Sequence, residues 1–127
     1  MRKNKLVLCL LFAMVTSGFN AAYSQPGKDV IVMVKYKTLP GKDTLALTAM
    51  ETLLAKVRSE PHFVNISVHI DPSDRSNILL YEQWSNEEYY RNDHMKTTHL
   101  QQFINDSRSF LSGPPEISFW TIHDQGL

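Results

Sequence analysis

Two histidines five residues apart, His94 and His99, are the side chains of this chain best suited to moving a proton near neutral pH. Thr98 can open a helix, which places His99 in its first turn. The positive end of a helix disfavours a protonated ring, so His99 is a candidate general base. Its alternative role is structural, with the ring packed on a sheet and one hydrogen bond satisfied. His94 falls on the preceding connection, either as a second proton-transfer group or as a solvated loop histidine. Five residues of helix turn through about 140°, so the two rings make a poor metal clamp beside an i, i+4 pair. With no His-Glu-x-x-His pattern, no metal is expected.

Four further residues could shape a pocket around these groups. Trp84 and Glu82 lie two apart in a short β-rich run (Asn77–Trp84) and share one side of it. Trp84 could stack on a flat ligand or simply fill core. Glu82 shares its side with Ile78 and Leu80, so it is expected to be part-buried and to need a partner, with Arg58, Arg91 and Lys35 as the cations available. Asn65, on the polar side of another strand, could donate to a ligand oxygen or line an interface. Tyr36 could orient a hydroxyl or belong to the core, and Tyr81, Tyr89 and Tyr90 carry the same two readings.

The elements that position these groups follow from patterning. Residues 30–37 (VIVMVKYK) read as a strand. Thr38-Leu39-Pro40-Gly41-Lys42 is a turn, and Asp43 can cap a helix that runs to about Glu60 and stops at Pro61. From His62 to Ile70 the chain alternates, with Val64, Ile66, Val68 and Ile70 on the dry side and Phe63, Asn65, Ser67 and His69 opposite. Asp71 to Ser76 is a hairpin loop before the strand 77–84. Ser85-Asn86-Glu87-Glu88 reads as a capping box for a short helix through about Asn92. Thr98-His99-Leu100-Gln101 starts the next helix, with Leu100, Phe103, Ile104, Ser107 and Leu111 as its inner stripe. Gly113 and Pro114-Pro115 end it, and residues 116–123 (EISFWTIH) form a last strand.

Strand–helix–strand–strand–helix–strand is the split βαβ pattern of an α+β, ferredoxin-like (βαββαβ) sandwich with a four-stranded antiparallel sheet. Its helices cover one face. The first strand is nevertheless apolar on both, with Val30, Val32 and Val34 against Ile31 and Met33. The last carries Ile117, Phe119 and Thr121 against Trp120 and Ile122. A sheet apolar on both faces needs a second cover, and self-pairing into a homodimer is the simplest source.

Residues 1–24 are expected to lie outside this fold. Arg2, Lys3 and Lys5 precede an apolar run from Leu6 to Val15, and small residues then lead to Ala22-Tyr23-Ser24. That is the grammar of a secretory leader, and it leaves residues 25–127 as one exported domain, periplasmic or secreted. The only cysteine, Cys9, falls in this leader, which excludes a cysteine nucleophile or a thiolate metal site from the remainder. Residues 25–127 carry 10 basic and 13 acidic side chains, a net charge of −3. This gives no footprint for nucleic acid or, after cleavage, for a membrane surface.

The run Leu80-Tyr81-Glu82-Gln83-Trp84, followed by residues 94–103 (HMKTTHLQQF) and by Ser112-Gly113-Pro114-Pro115-Glu116, resembles the antibiotic biosynthesis monooxygenase family. Leu39-Pro40-Gly41-Lys42 and Asp71-Pro72 agree with it, so the resemblance spans residues 29–123. It implies a dimeric α+β barrel. Characterised members include enzymes that oxidise small phenols or quinols with O₂ and no added cofactor. Others degrade haem, and one group isomerises a phosphorylated sugar. No Trp stands near Asp93, where the haem-degrading branch carries one.

On this resemblance no cofactor is expected. His99 would be the base, with His94, Asn65, Trp84, Glu82 and Tyr36 shaping a pocket for a small aromatic molecule. A ligand-binding module of the same fold and an oxygen-independent isomerase using His94 and His99 as an acid–base pair are the alternatives.

Overall fold

The computed structural model describes residues 29–126, so the expected leader lies outside the described residues. Four strands, β1 (Val30–Lys37), β2 (Phe63–Ile70), β3 (Asn77–Trp84) and β4 (Glu116–Thr121), form one antiparallel sheet in the order β2-β3-β1-β4. Helices α1 (Asp43–Val57), α2 (Glu87–Asn92) and α3 (Thr98–Ser107) connect them, with a 3₁₀ turn at His94–Lys96 between α2 and α3. This is the expected α+β, ferredoxin-like arrangement.

Register explains which side chains meet. Val30, Val32, Val34 and Tyr36 of β1 stand opposite Trp84, Glu82, Leu80 and Ile78 of β3 on the helix-covered face. Side chains alternate across a strand, so this single pairing sends all eight into the same core, and all eight are buried. From α1 the core receives Ala46, Met50, Leu53, Leu54 and Val57, the spacing of one helical face. From α3 it receives Leu100 and Phe103, while Ile104, expected inside, is exposed.

The turn before α1 uses Gly41 at φ +71°, a conformation that costs a residue without Cβ nothing. It closes with the Lys42 amide donating to the Leu39 carbonyl at 3.0 Å.

Local details depart from the sequence expectations. Asp43 is the first residue of α1 rather than its cap, and its carboxylate accepts from Arg75 Nε at 3.2 Å. The cap of α2 is Asn86, not Ser85, with Asn86 Oδ1 accepting the Tyr89 amide at 2.9 Å. Thr97 rather than Thr98 precedes α3, and its hydroxyl donates back to the His94 carbonyl at 2.8 Å.

A register shift between Phe63 and Asn65 turns Phe63 onto the core face, against expectation. Its ring meets Trp84 edge-on at 5.8 Å. One inserted residue reverses the facing of those before it, which alternation alone does not reveal. The last strand ends at Thr121, two residues short of the expected end.

The opposite sheet face has no helix over it. Ile31 is buried there between Gln83 and Trp120, its register partners, while Trp120 itself is 56% exposed.

Candidate active site

Between the covered face of the sheet, α1 and α3 lies a cleft of about 620 Å³. Most of its wall is apolar. Its polar lining includes Glu82, His94, Tyr36 and Tyr90.

His94 is placed by α2 and the 3₁₀ turn. It is stacked on Tyr90 with ring centroids 4.7 Å apart and lies 4.7 Å from Trp84. These rings strip it of water, and burial pulls its pKa below the ordinary histidine value despite the Glu60 carboxylate beside it. The imidazole is therefore neutral at pH 7. Its Nδ1 lies 2.9 Å from Glu60 Oε2 and 3.1 Å from Oε1. A carboxylate only accepts, so Nδ1 carries the proton. Nε2 is then the lone-pair nitrogen, on a ring that lines the cleft. An imidazole held in one tautomer by a buried carboxylate is the arrangement of a general base with its orienting group.

Glu60 is the residue the sequence reading missed. It was expected to end a helix, but α1 stops at Val57. Residues 58–62 turn instead, with the Ser59 amide bonded to Lys56 and the Glu60 amide to Val57. His62 adopts φ +66°, the left-handed region, as the chain enters β2. This turn aims Glu60 inward, where its side chain is 5% exposed. Besides His94, the carboxylate accepts from the Tyr89 hydroxyl at 3.1 Å and from His99 Nε2. Burial, then the Glu60 charge, pushes the Tyr89 phenol up to about 12, so it remains a donor. The sequence carried one indirect sign of Glu60: three donors of the α2–α3 region with no acceptor assigned to them.

Glu82 has no cation. Its Oε2 accepts from the Trp84 indole Nε1 at 2.9 Å, in place of the arginine or lysine partner expected. Arg91 pairs with Glu87 at 2.7 Å and lies over the Phe119 ring, and Lys35 belongs to the opposite sheet face. Burial raises the Glu82 pKa to about 7, with the Trp84 bond pulling the other way and the Glu60 charge adding to the rise. Glu82 thus exchanges a proton in the same range as a catalytic acid or base. Burial also raises the Tyr36 and Tyr90 phenols well above their ordinary value, keeping both hydroxyls protonated as donors.

The structure brings together four of the six expected residues. His94, Glu82 and Tyr36 line the cleft, and Trp84 lies directly behind His94 and Glu82. Trp84 is fully buried and is not itself a wall. His99 opens onto a separate groove between α1 and α3, with its Nε2 engaged by Glu60. Asn65 pairs with Gln83 on the uncovered sheet face, remote from the cleft, because it alternates with Ile66. Among the described residues no three His, Asp or Glu side chains form a metal-holding group.

This fold is matched among known proteins. The sequence model of the antibiotic biosynthesis monooxygenase (ABM) family fits residues 29–106, more than half of the chain. The chain belongs to the ABM family. A relative in Synechocystis, the uncharacterized protein sll1783, is 27% identical, with 94% of this chain and 86% of that protein aligned. The cofactor-independent oxygenase SnoaB of Streptomyces nogalater superposes with a TM-score of 0.68 at 11% identity, over 77% of this chain and 96% of that one. The PA3566 protein of Pseudomonas aeruginosa gives 0.69 at 18% identity, over 76% and 96%. At these identities the two structures establish the shared fold. ABM membership supports a monooxygenase-type or small-molecule-binding domain, and the chemistry must be argued from the cleft.

Proposed function

We propose that the cleft oxidises a flat phenol or quinol with O₂ and without an added cofactor, using His94 as base and Glu82 as a second proton carrier. The observation that carries this is the His94–Glu60 contact at 2.9 Å, which holds the proton on Nδ1 and leaves Nε2 as the lone-pair nitrogen of a ring that lines the cleft.

The substrate hydroxyl gives its proton to His94 Nε2, and the resulting phenolate passes an electron to O₂. Recombination forms a C–O bond at the ring carbon para to the hydroxyl. The peroxide anion takes back the proton stored on His94 and becomes a hydroperoxide. His94, neutral again, or Glu82 removes the hydrogen from that carbon as the O–O bond breaks, and the departing hydroxide takes that proton and leaves as water. One O₂ is consumed, a C–H becomes a carbonyl, and one water forms. Tyr36 and Tyr90 supply hydrogen bonds to the oxyanion, and the apolar walls exclude water. His99, which lines a separate groove, holds Glu60 and does not meet substrate.

The setting of this reaction is likewise proposed. The leader exports the domain to the periplasm or beyond. Two copies pair through the uncovered sheet face, where Trp120 and Met33 need a cover. Asn65 then belongs to the subunit interface.

Oxygen uptake by residues 25–127 with a panel of quinols and anthrone-like phenols, metals chelated, tests the proposal. Uptake is expected to vanish in His94→Gln and to persist at reduced rate in His99→Gln. Melting shifts with no oxygen consumed by any substrate would instead show a ligand-binding module. Turnover of a substrate without oxygen would show an isomerase.

A further inference from the structure

The cleft has a second polar end. The segment from Ser107 to Pro115 forms its rim beyond α3. This segment is tied to the far end of β1, with the Ser112 amide donating to the Lys37 carbonyl at 2.9 Å and the Leu39 amide to the Phe110 carbonyl at 2.9 Å. Glu82, in contrast, stands opposite Val32. Five residues of strand separate Val32 from Lys37, about 17 Å at the usual rise. The cleft therefore runs along β1 from the Glu82–His94 end to the Ser107–Pro115 rim, long enough for two or three fused rings.

Three side chains at that rim carry polar groups, and two are already committed. The Ser107 hydroxyl donates to the Ile104 carbonyl at 2.7 Å and the Ser112 hydroxyl to the Lys37 carbonyl at 3.1 Å. The third is Arg108, at the end of α3. Among the described residues no carboxylate lies within 4.0 Å of its guanidinium, whereas Lys37, Arg75 and Arg91 are all paired. Lys35, Lys42, Lys56, Arg58 and Lys96 are likewise without a carboxylate, but Arg108 is the one Lys or Arg that lines the cleft, a permanently charged fork at one end of an apolar slot whose other end accepts a hydroxyl proton.

We infer that Arg108 selects substrates bearing an acidic substituent, a carboxylate on the ring edge remote from the reacting hydroxyl. This rests on the cleft being the substrate site proposed above. The lining carries no other Lys or Arg, so an acid-bearing polycyclic phenol has one orientation in which its carboxylate meets a cation and its hydroxyl meets His94. The same cation would hold the hydroxyl end against His94 rather than let the rings enter reversed. Arg108 is exposed, so its contribution is modest, about fivefold in affinity.

Calorimetric binding to the full domain tests this with two probes that differ only at one end, 1,8-dihydroxyanthraquinone-3-carboxylate and 1,8-dihydroxy-3-methylanthraquinone. The carboxylate is expected to bind about fivefold more tightly to the unaltered protein, with the preference shrinking as salt is added. Arg108→Gln should remove that preference by weakening the carboxylate alone, and Arg108→Glu should reverse it. If the methyl compound binds and the carboxylate gains nothing, or if Arg108→Gln weakens both equally, the inference falls while the cleft reading stands. If neither probe binds, both fall.

Discussion

Replacing Glu82 by Gln should make the protein more stable in alkaline solution and less stable relative to the parent nowhere above pH 5. Glu82 is 4% exposed and has only the Trp84 indole as partner, so ionising it inside the core is unfavourable. An ordinary glutamate titrates near 4.5, and burial raises this one to about 7. Because the folded value is the higher, the folded chain holds a proton that the unfolded chain has released. The stabilisation is complete below pH 4.5, declines between 4.5 and 7, and is gone above 7. The interval is worth about 3 kcal/mol. Gln keeps the acceptor for Trp84 and cannot ionise, so it removes this dependence. For a domain of this size, 3 kcal/mol corresponds to a melting difference of about 10 °C or more. Thermal melts of both proteins from pH 5 to 9 should converge at the acid end, with the variant melting higher at pH 8.5. The comparison cancels the opposite dependence of His94, whose depressed pKa favours the folded state as pH rises. Parallel melting curves across this range would refute the claim that Glu82 is desolvated without a cation.

Three further outcomes follow from the same contacts. Glu60→Gln removes the charge that three donors share, so stability should drop by about 1–3 kcal/mol by denaturant titration. Its kcat/KM for any phenol that turns over should fall about 100-fold or more, through loss of the His94 tautomer. Trp84→Phe deletes the indole donor that restrains Glu82, so the pH–rate limb belonging to Glu82 should move upward by about one pH unit, measured as kcat/KM against pH. Trp120→Glu places a charge on the uncovered sheet face, so light scattering after gel filtration should show a monomer where the parent is a dimer. A parent that is already monomeric would dismiss the proposed pairing.

The elements of this fold were legible because their causes are local. A short β-branched run marked β1, alternation marked β2 except at its bulged start, and the helical spacing of Met50, Leu54 and Val57 marked α1. The same periodicity placed Glu82 and Trp84 side by side on the dry face, since residues two apart on a strand always share a side. It could not show that Trp84 would serve Glu82 as hydrogen-bond donor, because partner choice depends on what else reaches the position. The site itself was decided in space. Glu60 meets His94 across 34 residues and His99 across 39, and its inward aim depends on α1 stopping early and His62 turning left-handed. No spacing rule encodes such a contact, and a glutamate at a helix end ordinarily points to water. Sequence singled out the two histidines as candidate proton carriers. Only the packing of α1, the 3₁₀ turn and α3 determined that His94 lines the cleft while His99 lines a separate groove, although both rings meet one buried carboxylate.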